Sequence, residues 1–233
     1  MEAWLAFARG PAFVFAFSFM ILGLVRHTLL TLLEISRVMR RAGDKEFAWK
    51  RIVRATARWL LPAGQLRRHP AYSMTSILFH AAIIVVPLFL AGHIALWDKG
   101  LGISWPAIPN GLADVLTVVA VAAAAALVVQ RAAARATRAL SGFQEYALPP
   151  VVALPFISGF LVMHPQWSPV SHESILLVHV LSADLLMVLM PLTKLTHAVL
   201  IPGVQLVAEL GWHWPPDAGG KLARTLGKEG VSI

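Results

Sequence analysis

The stretch LLVHVLSADLLMVLMPLTKLTHAVL, residues 176–200, decides the class of fold. It holds two histidines, His179 and His197, in a sequence that is otherwise almost entirely apolar. Ionisable side chains are costly inside a membrane and are usually functional there. The stretch therefore predicts a membrane helix whose histidines have a chemical role.

The composition of the whole chain agrees with a membrane protein. Hydrophobic residues make up 58% of the sequence and charged residues 14%, and the mean hydropathy is +0.69. These values exclude an ordinary soluble domain. The chain has no cysteine, so disulfides, thiolate-held iron–sulfur clusters and thioether-linked haem are excluded, and any metal must be held by histidine, carboxylate or methionine. Nine histidines are available.

The apolar runs predict an all-α integral membrane bundle of five transmembrane helices. Each run is close to or longer than the roughly 20 residues that a helix needs to cross the bilayer. The first is expected to be an uncleaved helix, because it is much longer than the apolar core of a signal peptide. The predicted membrane domain is 1–203 and the predicted cytoplasmic tail is 204–233. The five spans are 11–36, 71–97, 112–131, 147–164 and 174–200.

The distribution of cations predicts the orientation. The segment between the first two spans contains ten of the chain's twenty Lys and Arg residues, so the positive-inside rule places it in the cytoplasm. Alternation then places the N-terminus outside and the C-terminus in the cytoplasm of a bacterial or archaeal cell, across its inner (cytoplasmic) membrane. The predicted outer loops contain Trp97, Trp105 and Trp167, which suit the outer interface.

The basic loop itself predicts an amphipathic helix on the membrane surface. Phe47, Ile52, Ala55 and Trp59 recur at helical spacing opposite the cations. Two functions remain open for it, namely binding of anionic membrane lipid and docking of an acidic cytoplasmic partner. Nucleic-acid binding is not expected, because no basic fold module accompanies the charge.

Four histidines are spaced as two pairs of metal ligands. On one continuous helix, His179 and His197 would face the same side about 27 Å apart. His80 and His93 are about 20 Å apart on the second span, which runs the opposite way. His80 would then share the cytoplasmic side with His197, and His93 the outer side with His179. Two imidazoles from facing helices suit the axial ligation of a b haem. An ideal helix turns His80 and His93 about 140° apart, so Pro87 must kink or overwind the span.

Alternatives to haem ligation stay open at this point. A membrane histidine also serves in hydrogen bonds between helices or in a proton path. The chain could therefore be a haem-free transporter or proton-conducting subunit with a histidine relay, or a structural anchor without haem. His27 is a reserve ligand for the inner haem, or a contact for a haem propionate or lipid phosphate.

A family resemblance follows from the last span. HVLSADLLMVLMPLTKLTH resembles the fifth helix of the respiratory nitrate reductase gamma subunit family, the di-haem cytochrome b that anchors such enzymes. Related subunits belong to heterodisulfide-reductase-like and sulfate-reducer electron-transfer complexes. The second span adds Phe79-His80 at its start and Gly92-His93 at its end. The residues in register on the last span are His179, Pro191, Lys194 and His197.

The resemblance implies an electron-transfer subunit. It implies two haem b groups, a membrane quinone (menaquinone or ubiquinone) as substrate, and a cytoplasmic iron–sulfur subunit or an outer multihaem cytochrome as partner. The catalytic site would lie on other subunits. The implied ligands of the haem iron are His80, His93, His179 and His197.

Quinol oxidation also needs a proton acceptor near the outer haem. Asp98, Lys99 and Asp114 are the candidates near His93, although Asp114 also suits the start of a helix. His164 and His172 lie at the predicted outer edge, either as exposed loop residues or in quinone and proton handling. The remaining histidines, His69 and His213, are expected on the surface.

Overall fold

A computed structural model describes residues 1–42, 49–60, 63–212 and 223–229. Within these ranges the chain is helical and has no strand. Five helices are long and apolar enough to cross a membrane, which indicates a membrane protein, and each overlaps one predicted span. They are Glu2–Arg41, Pro70–Phe89, Asn110–Ala133, Phe143–Met163 and His172–Leu189.

The first helical run is not uniform, because a π-helical turn at Ala8–Ala12 separates Glu2–Phe7 from Phe13–Ala42. Short 3-10 turns follow the helix Phe143–Met163 at Pro165–Trp167 and precede the helix His197–Trp212 at Lys194–Thr196. The α-helices in chain order are α1 Glu2–Phe7, α2 Phe13–Ala42, α3 Trp49–Leu60, α4 Ala63–Arg68, α5 Pro70–Phe89, α6 Ala91–Leu101, α7 Asn110–Ala133, α8 Arg135–Ala139, α9 Phe143–Met163, α10 His172–Leu189 and α11 His197–Trp212.

The chain divides into two compact units. The first combines Met1–Met20 with Gln65–Thr193, and the second combines Ile21–Gly64 with Lys194–Ile233. The predicted division at residue 203 lies inside α11.

In the first unit, α7 packs against α5 and α9, and α9 packs against α10. The buried positions of α7 are mainly small, including Ala113, Ala120 and Ala124, which lets the neighbouring backbones approach closely. α1 and the π turn pack against α10. Three prolines do not interrupt α9, since this helix is packed by α7 and α10 on its flanks.

The second predicted span is broken at Leu90, which has an extended backbone (φ −72°, ψ 129°) between α5 and α6. Pro87 cannot donate a backbone hydrogen bond, which weakens this last turn of α5. The break leaves three carbonyls without helical partners, and backbone groups inside a membrane must be satisfied by the protein. The Pro87 carbonyl accepts from His93 Nδ1 at 3.0 Å, and the Leu88 carbonyl accepts from Trp105 Nε1 at 2.8 Å. The Phe89 carbonyl accepts from the backbone N–H of Ile108 at 3.0 Å.

The last predicted span is shorter than expected, and the prediction of one continuous helix over 174–200 is wrong. α10 ends at Leu189, a turn follows, and α11 begins at His197. Pro191 has no N–H, so it cannot bond the Met187 carbonyl as the next α-helical residue would. The turn after Leu189 is tightened by a three-residue bond from Leu192 N to the Leu189 carbonyl (3.1 Å). The predicted five-turn relation between His179 and His197 therefore does not hold.

In the second unit, α3 packs against α11, with Ile52 and Leu210 fully buried. Thr31 of α2 lies so close to α11 that a Cβ at Gly203 would be 2.5 Å from its Cγ2. α3 is amphipathic, with exposed cations opposite Ile52. Phe47 and His213 lie outside the described residues. The exposed cations of α3 are Lys50, Arg51, Arg54 and Arg58.

A histidine pair as the candidate functional site

His93 and His179 face each other within the first unit. His93 is the third residue of α6, directly after the break at Leu90, and His179 lies within α10. Their ring centroids are 6.1 Å apart and their planes are 5° from parallel. The structure therefore brings together the two histidines that the sequence analysis placed on the outer side.

The backbone break orients the His93 ring. Its Nδ1 donates to the Pro87 carbonyl at 3.0 Å, six residues earlier, and this carbonyl accepts the bond because the helix does not continue past Leu90. An imidazole that donates from Nδ1 keeps its lone pair on Nε2, which is then the nitrogen able to bind a metal.

A neighbouring helix orients the His179 ring. Its Nδ1 donates to the Pro155 carbonyl of α9 at 2.9 Å, and Ser158 Oγ lies 3.5 Å from the same nitrogen. Gly159 makes room for the ring, since a Cβ there would lie 2.9 Å from its Cε1 and 3.1 Å from its Nδ1. The ring is thus held from α9 while its Nε2 keeps the lone pair.

The distance between the two ring centroids is close to the one expected of two imidazoles that bind one metal ion from opposite sides. A metal–imidazole bond is about 2.0 Å and the nitrogen lies about 1.1 Å from its ring centre, so two opposed ligands have centroids about 6.2 Å apart. The observed separation is 6.1 Å. Both rings also have the carbonyl partner that metal-ligating histidines almost always use on the other nitrogen.

The other predicted ligands share part of this pattern. His80 Nδ1 bonds the Ser76 carbonyl at 2.7 Å, and His197 Nδ1 bonds the Lys194 carbonyl at 2.6 Å. His80 belongs to the first unit and His197 to the second. His27 also belongs to the second unit and is half-buried on α2.

The predicted quinone residues are not all brought together. Asp114 Oδ2 lies 3.5 Å from Nε2 of His164, whose Nδ1 donates to the Phe160 carbonyl at 3.0 Å. The His164 ring also stacks on Phe160 and on Trp167, at centroid distances of 4.3 Å and 5.4 Å, and these two rings are 5.6 Å from each other. This arrangement orients an imidazole against a carboxylate. In contrast, Asp98, Lys99 and His172 are exposed.

Sequence reasoning missed two residues of this region. Gly159 gave no signal of its own, because its role depends on the packing of α9 against α10. Asp184 is a buried carboxyl group in α10, and an acid in the middle of an apolar span was a signal that could have identified it. Among the described residues there is no group of three or more His, Cys, Asp or Glu side chains placed to hold a metal ion.

Comparison with known proteins finds a similarity of sequence but no function. The chain is 35% identical over 151 residues to a protein of Nitratidesulfovibrio vulgaris strain Hildenborough whose name states no function. The match covers 64% of this chain and 65% of that protein, so the chain spans just under two thirds of its relative. No family model and no solved structure matches.

Proposed function

We propose that this chain is a di-haem b cytochrome subunit similar to the respiratory nitrate reductase gamma family. It would transfer electrons between a membrane quinone and a redox partner subunit, while the catalytic site of the complex lies elsewhere. The observation that carries the proposal is the His93–His179 pair, because two parallel imidazoles with a centroid separation of 6.1 Å would be able to hold one haem iron.

In this proposal, residues around His93 and His179 orient the two imidazole rings for iron binding. Pro87 and Pro155 carbonyls fix the Nδ1 protons, so both Nε2 atoms are ready to bind iron without a change of tautomer. Gly159 lets the His179 ring lie against α9. Haem bound there would accept and donate single electrons, and bis-histidine ligation suits electron transfer rather than oxygen binding.

A second b haem is part of the proposal. The sequence predicts His197 as one ligand and His80, or His27 in reserve, as the other. The Nδ1 bonds of His80 and His197 to backbone carbonyls are consistent with ligand histidines.

We further propose that the Asp114–His164 contact accepts protons when quinol is oxidised. A carboxylate beside an imidazole orients the ring and stabilises its protonated form. The contact lies at the start of α7 and the end of α9. With an outside N-terminus, these two helix ends would face the outside, and protons would be released there.

The proposal also includes the placement of the helices in the membrane. All five apolar helices would cross the membrane, and α3 would lie on its cytoplasmic surface with the exposed cations toward lipid headgroups or an acidic partner. The expected partner is a cytoplasmic iron–sulfur subunit. An outer multihaem cytochrome is the alternative partner, and it would exchange electrons with the chain at the outer face of the membrane.

The decisive experiment is a haem assay of the purified full-length chain. A pyridine haemochrome measurement should give two haem b per chain, and a reduced-minus-oxidised spectrum should show b-type bands that a quinol analogue can generate. A folded chain without haem would reject the cytochrome and favour the histidine-relay transporter or the structural anchor.

A further inference from the structure

Asp184 is a buried acid that the proposed haem site does not use. It lies in α10 and is 6% exposed, and neither carboxyl oxygen has a hydrogen-bond partner among the described residues. Such a group is costly to bury, and in a membrane helix it is a functional site by default. A ligand that hydrogen-bonds Asp184 would remove this cost.

The carboxyl group lines a groove between α10 and the first helical run. The groove has a volume of about 350 Å³, and its other lining residues are all apolar. They include Phe7, Pro11, Ala12 and Phe15 from one side and Leu185 from α10. A largely apolar pocket of this size with a single polar group is typical of sites for small lipophilic molecules.

The π-helical turn lies at the edge of this groove. Within Ala8–Ala12 the helix is wider than an α-helix, and the Phe13 N–H bonds the Ala8 carbonyl five residues earlier. Pro11, which has no N–H, lies inside the turn and lines the groove. Single π turns inside α-helices occur frequently at functional sites. The local irregularity and the unpartnered acid are therefore two independent features of one place.

The chemistry of the lining selects the kind of ligand. A bound water needs at least two polar partners, and Asp184 is the only polar side chain lining the groove. A lipid acyl chain would fill the groove but has no hydrogen-bond donor for the carboxyl group. A lipid-soluble ring with a hydroxyl group satisfies both the apolar walls and the acid.

We infer that this groove binds a hydroquinone, with one ring hydroxyl donating a hydrogen bond to the carboxyl group of Asp184. The inference rests on the proposed function, which supplies a quinone as substrate, and it names a binding site separate from the Asp114–His164 contact. Asp184 lies about 7.5 Å along α10 from His179 and about 140° around it. Phe7 and Phe15 are 49% and 63% exposed, so a rotamer change of either can admit the ring to the acid beneath.

The test is direct binding of heptyl-hydroxyquinoline N-oxide, a fluorescent hydroxyl-bearing quinol analogue, to the full-length protein in lipid nanodiscs. Asp184→Leu, which removes the acceptor, should weaken binding about tenfold or more. Asp184→Asn keeps the size and an accepting oxygen, and should weaken binding roughly threefold.

The groove itself is tested by a second pair of variants. Ala12→Leu fills the groove and should weaken binding about tenfold. Ala6→Leu, at an exposed position of the same helical run, is the control and should change binding less than about twofold.

Unchanged binding in both Asp184→Leu and Ala12→Leu would overturn the inference, and so would loss of binding in Asp114→Asn alone. Absence of analogue binding by the unmodified protein would overturn it as well. Haem absorbance of the same samples separates this site from the proposed function. Asp184-dependent binding without haem would reject the cytochrome and keep the site, while haem with Asp184-independent binding would do the reverse.

Discussion

The predicted ligand histidines differ in how their rings are oriented. His80 and His197 each bond a carbonyl three or four residues earlier in the chain, which many helical histidines can do. His93 bonds a carbonyl across a helix break, and His179 bonds one on a different helix. The orientation of the His93 and His179 rings therefore depends on tertiary structure, whereas the orientation of the other two rings depends on local structure. Substitutions of the histidines and of the residues that orient them test this difference.

The largest expected effect comes from removing the ligands themselves. His179→Ala should lower the haem content from two to one per chain, because it removes the imidazole whose ring lies 6.1 Å from that of His93. His197→Ala should remove the other haem. The haem content of each variant is first measured as the pyridine haemochrome. A redox titration of the same samples should then show that the two variants lack haems of different midpoint potential.

The matched control for this experiment is His172→Ala, an exposed histidine at the start of the same helix, which should keep both haems. Loss of both haems from each ligand variant, with the protein still folded, would contradict the assignment of the pairs.

A smaller effect is expected from the glycine that makes room for His179. In Gly159→Ala the new Cβ would press on the ring at 2.9 Å and disturb its bond to Pro155, at a cost of roughly 1–3 kcal/mol. We expect a partly depleted or altered haem at this site, measured as loss of low-spin signal by electron paramagnetic resonance, with the second haem unchanged.

Gly92→Ala provides the control beside the partner histidine. A Cβ at Gly92 meets nothing within 4 Å, and alanine favours the helix by up to about 1 kcal/mol, so this variant should keep the normal spectrum. Equal spectra from the two glycine variants would show that the close approach of α9 does not control the His179 ring.

The smallest effect concerns the break between α5 and α6. Trp105→Phe keeps an aromatic side chain, although a smaller one, and removes the donor to the Leu88 carbonyl, so it should lower the free energy of unfolding by about 1 kcal/mol. Thermal unfolding in detergent would measure it against Trp97→Phe, whose indole makes ring contacts with Phe17 and Trp105. If the two variants unfold at the same midpoint temperature, the break between α5 and α6 does not depend on the hydrogen bond from Trp105 to the Leu88 carbonyl.

Much of the membrane architecture could be predicted because it depends on local composition. Long apolar runs must be helical in hydrocarbon, so each predicted span overlaps an apolar helix, including α9 with its three prolines. Helix ends were less predictable. A kink was predicted at Pro87, and the structure instead breaks the helix at Leu90, where Trp105 and Ile108 supply donors from a later loop.

The sequence alone was enough to predict a helical membrane protein and to draw attention to its intramembrane histidines, because hydropathy and the rarity of such imidazoles are properties of single segments. The folded structure was needed to show that the last span stops at Leu189, that Gly159 adjoins His179, and that Asp184 has no hydrogen-bond partner among the described residues and lies beside the π turn. These features depend on which carbonyls and surfaces of distant segments meet. Hydrogen-bond satisfaction and close packing between helices are pairwise properties, which no single segment of sequence contains.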